Sequence, residues 1–176
     1  ALEQEVDLTL TDHILWCSSY GDEHKTLAIM QDIARDEAPS PTAFATSVHN
    51  ATAGLYSMLY QDDVATTSMN VGHTEFGNAL WYAHALLQTH AANQVLLVCA
   101  DEPLPDVYAQ PDLQQAYAMA CVLCRPDEHH PVNLHIGAAE QLAPPPPLQA
   151  QAVRFAEFWQ GNATTLHMDA WQLCKR

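Results

Sequence analysis

The chain is predicted to fold as an α/β layered domain, and three observations predict it. Apolar runs of strand length alternate with segments whose apolar residues recur every three or four positions. One run, Val95-Leu96-Leu97-Val98-Cys99-Ala100, is apolar throughout, as a strand covered on both faces requires. Apolar residues make up 48% of the 176, which supplies a sizeable core.

The elements follow in order. Residues 1–10 read as the tail of a helix entering a loop. Ile14-Leu15-Trp16-Cys17-Ser18-Ser19 is a short strand, stopped by Tyr20-Gly21-Asp22. From Glu23 the pattern turns helical, with Leu27, Met30, Ile33 and Ala34 at spacings of three and four, until Pro39 and Pro41 end it. Thr46 to Tyr60 is again helical, with Val48, Ala51, Leu55, Met58 and Leu59 on one side, and Gln61-Asp62-Asp63 is a turn. Val64 to Val71 is β-like yet polar at Thr66, Thr67 and Ser68. That pattern suits a sheet edge or a strand that pairs with another chain.

Thr74 to His90 is a helix that buries Phe76, Leu80, Ala83, Leu86 and Leu87. The apolar strand then ends in Asp101-Glu102-Pro103, and a loop marked by Pro105 and Pro111 follows. Ala116 to Cys124 is a strand, and Val132 to Ile136 a short one, antiparallel to its neighbour. Pro144 to Pro147 is a linker or extended strap. Ala150 to Gln160 is helical; for Thr164 to Arg176 the pattern does not choose between strand and helix. Two units are expected, a domain over 1–142 and a strap with its extension over 143–176.

Charge excludes several partners. Six Lys+Arg face 21 Asp+Glu, a formal net charge of −15, and no Lys or Arg stands between Arg35 and Arg125. Nucleic acid and anionic membranes both need clustered basic residues. An acidic carrier protein would also be repelled, whereas a basic partner suits the chain. No run reaches the ~20 apolar residues of a membrane span. The opening residues lack a secretory pattern and the five cysteines are an odd number, so a reduced cytoplasmic setting is expected.

Metal and cofactor are not expected. Cys121 and Cys124 have the spacing of a metal pair, but on a strand positions three apart point to opposite faces. His129 and His130 follow Asp127 and Glu128 on a proline-flanked turn that reads as a solvated loop. No Gly-x-Ser-x-Gly elbow of an acyl hydrolase is present.

Four motifs stand out together: Ser18-Ser19-Tyr20-Gly21-Asp22; Ser40-Pro41-Thr42-Ala43-Phe44; Ser47-Val48-His49-Asn50-Ala51-Thr52-Ala53-Gly54; and the strand ending Asp101-Glu102. On these, Ile14 to Ile136 resembles the ketosynthase-like members of the thiolase superfamily. It looks closest to the short chain-length-factor-like subunits of aryl polyene biosynthesis. The resemblance implies a thiolase-like layered fold, a single N-terminal-type half with a mixed sheet and helices on both faces. It places the family's nucleophile at His73, or at Thr74 if the gap is set differently. Neither residue forms the acyl thioester that a cysteine thiolate forms, and no cysteine lies between Cys17 and Cys99. Thr74 serves equally as the N-cap of the helix after it. His49 and Asn50 are expected as a buried, mutually satisfied pair beneath the elbow.

The resemblance therefore implies a non-catalytic subunit. Its partner would be an active β-ketoacyl-ACP synthase in a heterodimer, with the acyl carrier protein reached only through that partner. In the family's dimers the strand before the nucleophile pairs across the two-fold axis; here it is Ala65, Thr66, Thr67, Ser68, Met69 and Asn70. Met58, Phe76 and Trp81 are the bulky candidates for limiting chain length at the acyl tunnel. Two alternatives stay open: a truncated enzyme of acyl transfer or decarboxylation using His73, and a homodimeric acyl-binding scaffold.

Overall fold

The computed structural model describes residues 8–71, 76–108, 116–126, 134–139, 151–168 and 171–175. After a short 3₁₀ turn at Leu8–Leu10 the chain enters β1 (His13–Ser18). Leu15 and Cys17 alternate onto one face of β1 and are fully buried, whereas Trp16 on the other is only half-buried. Strand β1 runs parallel to β2 (Ala65–Asn70) on one side and to β3 (Gln94–Asp101) on the other. Strand β4 (Tyr117–Cys124) pairs antiparallel with β3, so the sheet order is β2-β1-β3-β4. The polar strand β2 is thus at the sheet edge, where its composition put it.

Helices cover both faces. On one, α4 (Phe76–Gln88) buries Phe76, Gly77, Ala79, Leu80, Ala83 and Leu87 against Leu15, Cys17, Val95, Leu97 and Cys99. Helix α5 (Gln151–Gln160) joins that layer through Ala152, Phe155 and Phe158, and Phe155 meets Phe76 at 5.2 Å between ring centres. On the other face Trp16 meets Tyr56 of α3 (Ala51–Tyr60) at 6.2 Å. This is the α/β arrangement, with a mixed sheet and helices on both faces, that was expected.

The undecided last segment is a pair of antiparallel strands, β6 (Thr165–Met168) and β7 (Trp171–Lys175). With β5 (Leu134–Ala138) they form a second sheet of order β5-β7-β6. Met168 and Leu173 are buried in the same core as α4 and α5. Gly77 makes the docking of β7 possible: a Cβ there would stand 2.2 Å from Trp171 Cδ1. The expected boundary at 142/143 falls in residues that are not described, as does the proline run. Across it β5 pairs with β7 and Phe76 packs on Phe155, so the described parts of both units share one core.

Two local readings change. Pro41 starts a helix instead of ending one: Ser40 Oγ accepts from Ala43 N at 3.3 Å as N-cap of α2 (Pro41–Ser47). The helix expected to run unbroken from Thr46 is divided, because Val48 is extended and α3 begins only at Ala51. Burial adds a further finding. Helix α1 (Glu23–Ala34) forms, capped by Asp22, which accepts from Lys25 N at 3.0 Å, yet none of its residues is buried. Met30 and Ile33 are exposed, as are Leu55, Met58 and Leu59 of α3. The apolar sides read from the sequence are real, but the described chain covers them only in part.

Candidate functional site

The C-terminal ends of parallel strands are where α/β folds place their sites. Here β1, β2 and β3 end together, and one carboxylate ties the ends of β1 and β3 to the start of β4. Asp101, last in β3, accepts at Oδ1 from Ser18 Oγ (2.8 Å) and from Ser19 N (2.7 Å). At Oδ2 it accepts from Ser19 Oγ (2.8 Å) and from Tyr117 OH (2.6 Å). Burial, then the hydrogen bond to Asp101 and its charge, push the Tyr117 phenol up, so it remains a donor. Four donors on one carboxylate make a rigid clamp between β1, β3 and β4.

From this clamp the chain turns sharply. Ser18 Oγ accepts from Gly21 N at 2.9 Å, and Gly21 adopts φ +74°, a conformation side chains disfavour. A Cβ at Gly21 would lie 2.7 Å from Ser47 O and 3.4 Å from His49 N. Asp22 N donates to that same Ser47 carbonyl at 3.0 Å. The turn after β1 is therefore pressed onto the corner where α2 gives way to α3.

The expected nucleophile positions, His73 and Thr74, lie outside the described residues, between the end of β2 and the start of α4. Elsewhere the described cysteines do not replace them. Cys17 and Cys99 face each other across β1 and β3 in the sealed core. The Cys99 thiol is pushed up by its hydrogen bond with Cys17 and by burial. Burial pushes Cys121 up to about 12. Cys124 and Cys174 sit on strands. Among the described residues no cysteine stands at a helix N-terminus, and no cluster of His, Cys, Asp and Glu is placed to hold a metal. No described helix is long and apolar enough to cross a membrane.

His49 and Asn50 do not form the satisfied pair expected of them. His49 Nε2 is buried with no hydrogen-bond partner among the described residues, and Asn50 gives no side-chain bond to the start of α3. The reason is the break at Val48, which sets the two residues in a turn where the ring goes inward. Beside it, Tyr20, Ile29, Met30, Phe44 and Val48 line a cleft of about 370 Å³ between α1 and α2.

The other candidate residues separate by exposure. In β2, Ala65, Thr66 and Asn70 are exposed and Thr67, Ser68 and Met69 half-buried. His13 Nε2 and Thr67 Oγ1 are hydrogen-bonded at 2.9 Å, tying this edge strand to β1. Met58 is 70% exposed, but Phe76 is 1% exposed and lies inside the core. Trp81 stacks on Trp171, with ring centres 5.3 Å apart. The edge position read for β2 is found, while Met58, singled out only as a bulky candidate for the tunnel, is exposed. The sequence did not bring out the Asp101 clamp, although Ser18, Ser19 and Asp101 were each in its motifs.

A family model of β-ketoacyl synthase N-terminal domains matches residues 4–172. No curated protein matches the chain. The structure of a ketosynthase (ApeO) in complex with its chain length factor (ApeC) from Xenorhabdus doucetiae contains a similar chain. The likeness has TM-score 0.76 and 22% sequence identity, over 94% of this chain and 69% of that one. At such identity the likeness is one of fold, and the fold is the thiolase-like layered arrangement. With the family model spanning nearly the whole length and the strands and helices falling as that fold requires, the chain belongs to the family of β-ketoacyl synthase N-terminal domains.

Proposed function

We propose that this chain is a non-catalytic, chain-length-factor-like subunit that heterodimerises with an active β-ketoacyl-ACP synthase. One observation carries the reading. Helix α4 buries its apolar side in the chain's own core, whereas Met30 and Ile33 of α1 and Leu55, Met58 and Leu59 of α3 stay exposed among the described residues, on the same molecule as the edge strand β2. Exposed apolar side chains together with a strand at the edge of a sheet favour a protein interface. In this reading Ala65 to Asn70 extend the partner's sheet by strand addition, and α3 packs against it. The complex of a ketosynthase with its chain length factor among the similar structures supports the kind of partner.

The absence of a cysteine between Cys17 and Cys99 supports the non-catalytic role, since His73 and Thr74 cannot carry a thioester. The partner would supply the thiolate and the basic docking surface for an acidic carrier, which a chain of net charge −15 repels. Met58 is the best placed of the three bulky residues to narrow an acyl tunnel at the interface. Phe76 acts there only by fixing the start of α4, and Trp81 is engaged with Trp171. Polyunsaturated chains of the aryl polyene type are the expected product, made in the cytoplasm.

The test is condensation by purified components. Acyl-carrier substrate, synthase and this chain together are expected to give elongated product, with the synthase alone far slower and this chain alone inactive. Turnover of acyl thioester by this chain alone, lost in His73→Ala, would instead establish the truncated-enzyme reading.

A further inference from the structure

We infer that Asp101 is a positioning residue for the proposed partner interface: its carboxylate, through the turn at Ser18 to Asp22, sets where the α2–α3 corner stands and so how α3 is presented. The inference rests on the heterodimer reading for its consequence, though not for its geometry. The relay is continuous. Asp101 holds both Ser18 and Ser19 by their hydroxyls, and Ser19 also by its backbone N–H. Ser18 Oγ in turn accepts from Gly21 N, which fixes the left-handed turn. Gly21 then abuts Ser47 O, and Asp22 N donates to that oxygen. Ser47 is the last residue of α2 and is buried, while its own hydroxyl donates to Phe44 O at 2.9 Å. Four residues on, Ala51 N donates to Val48 O at 3.0 Å and α3 begins.

The hydrogen bonds described at this corner run through that one relay. Ala53 is the only buried residue of α3, so packing constrains the helix weakly. A helix anchored only by Ala53 and by Tyr56 against Trp16 depends strongly on its ends, and the N-terminal end is set by polar contacts that trace to one carboxylate. The sheet beneath does not depend on Asp101 in the same way: Leu15, Cys17, Val95, Leu97 and Cys99 pack on α4 regardless of it. Removing the carboxylate is therefore expected to free the corner and leave the sheet.

Two substitutions test this. Asp101→Asn keeps the shape but turns an acceptor into a donor facing hydroxyl and N–H groups. Tyr117→Phe removes one donor from Oδ2 and is the milder change. Hydrogen exchange is read by mass spectrometry on the wild type and both variants, purified as the chain is obtained, alone or with the synthase. The expected result is exchange about tenfold faster at residues 47–60 in Asp101→Asn, less in Tyr117→Phe, with β3 and α4 unchanged. Affinity for the synthase should fall in the same order. Exchange that rises equally across β1, β3 and α4, or stays unchanged at 47–60, would overturn the inference. Should Asp101→Asn not fold, the sheet depends on the carboxylate and the inference fails unless Tyr117→Phe still loosens 47–60 selectively. A wild type that binds no synthase would refute the heterodimer reading while leaving the exchange pattern to judge the relay.

Discussion

Gly77 and His13 show how much single positions decide here. Gly77 lets Trp171 lie flat against α4, where Trp171 Nε1 donates to Asn78 Oδ1 at 3.3 Å and the ring stacks on Trp81. Gly77→Ala would drive a methyl into that ring, and the Trp81 stack and the Asn78 bond leave it little room to move. The expected cost is about 1–3 kcal/mol from overpacking, read as a lower denaturation midpoint with unchanged m-value. His13 is held below its ordinary 6.5 by burial, so the neutral ring is favoured in the folded chain. The unfolded chain then binds more protons over this range, and stability is present above the ordinary value and lost as pH falls through the folded one. Denaturation at stepped pH is expected to show stability declining below about 6.5, with a shallower decline in His13→Gln. An unchanged slope in that variant would show that other groups set it.

At the scale of elements, α1, α3 and β2 behave differently from α4 and β3. For α4 and β3 the sequence pattern and the observed burial agree, because their apolar faces meet each other: Phe76, Leu80, Ala83 and Leu87 against Val95, Leu97 and Cys99. For α1 and α3 the same kind of pattern marks helical segments, yet their apolar residues stay largely exposed. Periodicity reports that a face is apolar and does not say what covers it. Met58 and Leu59, 70% and 75% exposed, are thus free to change without disturbing this chain. Met58→Glu with Leu59→Glu is expected to leave its thermal midpoint within a degree or two, improve its solubility alone, and weaken synthase binding at least tenfold. Thr66→Lys on the exposed edge of β2 should act likewise, since lysine blocks strand addition and meets a partner expected to be basic. Titration calorimetry or surface binding reads both. Equal affinity in all three proteins would remove α3 and β2 from the interface.

For the whole molecule, the layered class and the order of elements were legible from Ile14 to Cys124, where strand and helix periods are strong. The second sheet was not. Trp171 to Lys175 alternate too briefly to announce a strand, and β7 exists because Leu134 to Ala138, more than thirty residues earlier, pair with it. The Asp101 clamp escaped for a similar reason: Ser18 and Asp101 meet only because β1 and β3 are neighbours in the sheet. What the complete fold adds is the contrast on which the account turns, a core closed around α4 and α5 beside a surface left open at α1, α3 and β2. The claim that an active synthase closes it is tested most directly by expressing the chain with and without a β-ketoacyl-ACP synthase from the same source, and measuring mass by light scattering on a sizing column. The account predicts a 1:1 complex when both are present and aggregated or insoluble chain when the synthase is left out. A well-behaved monomer or homodimer whose mass ignores the synthase would contradict it.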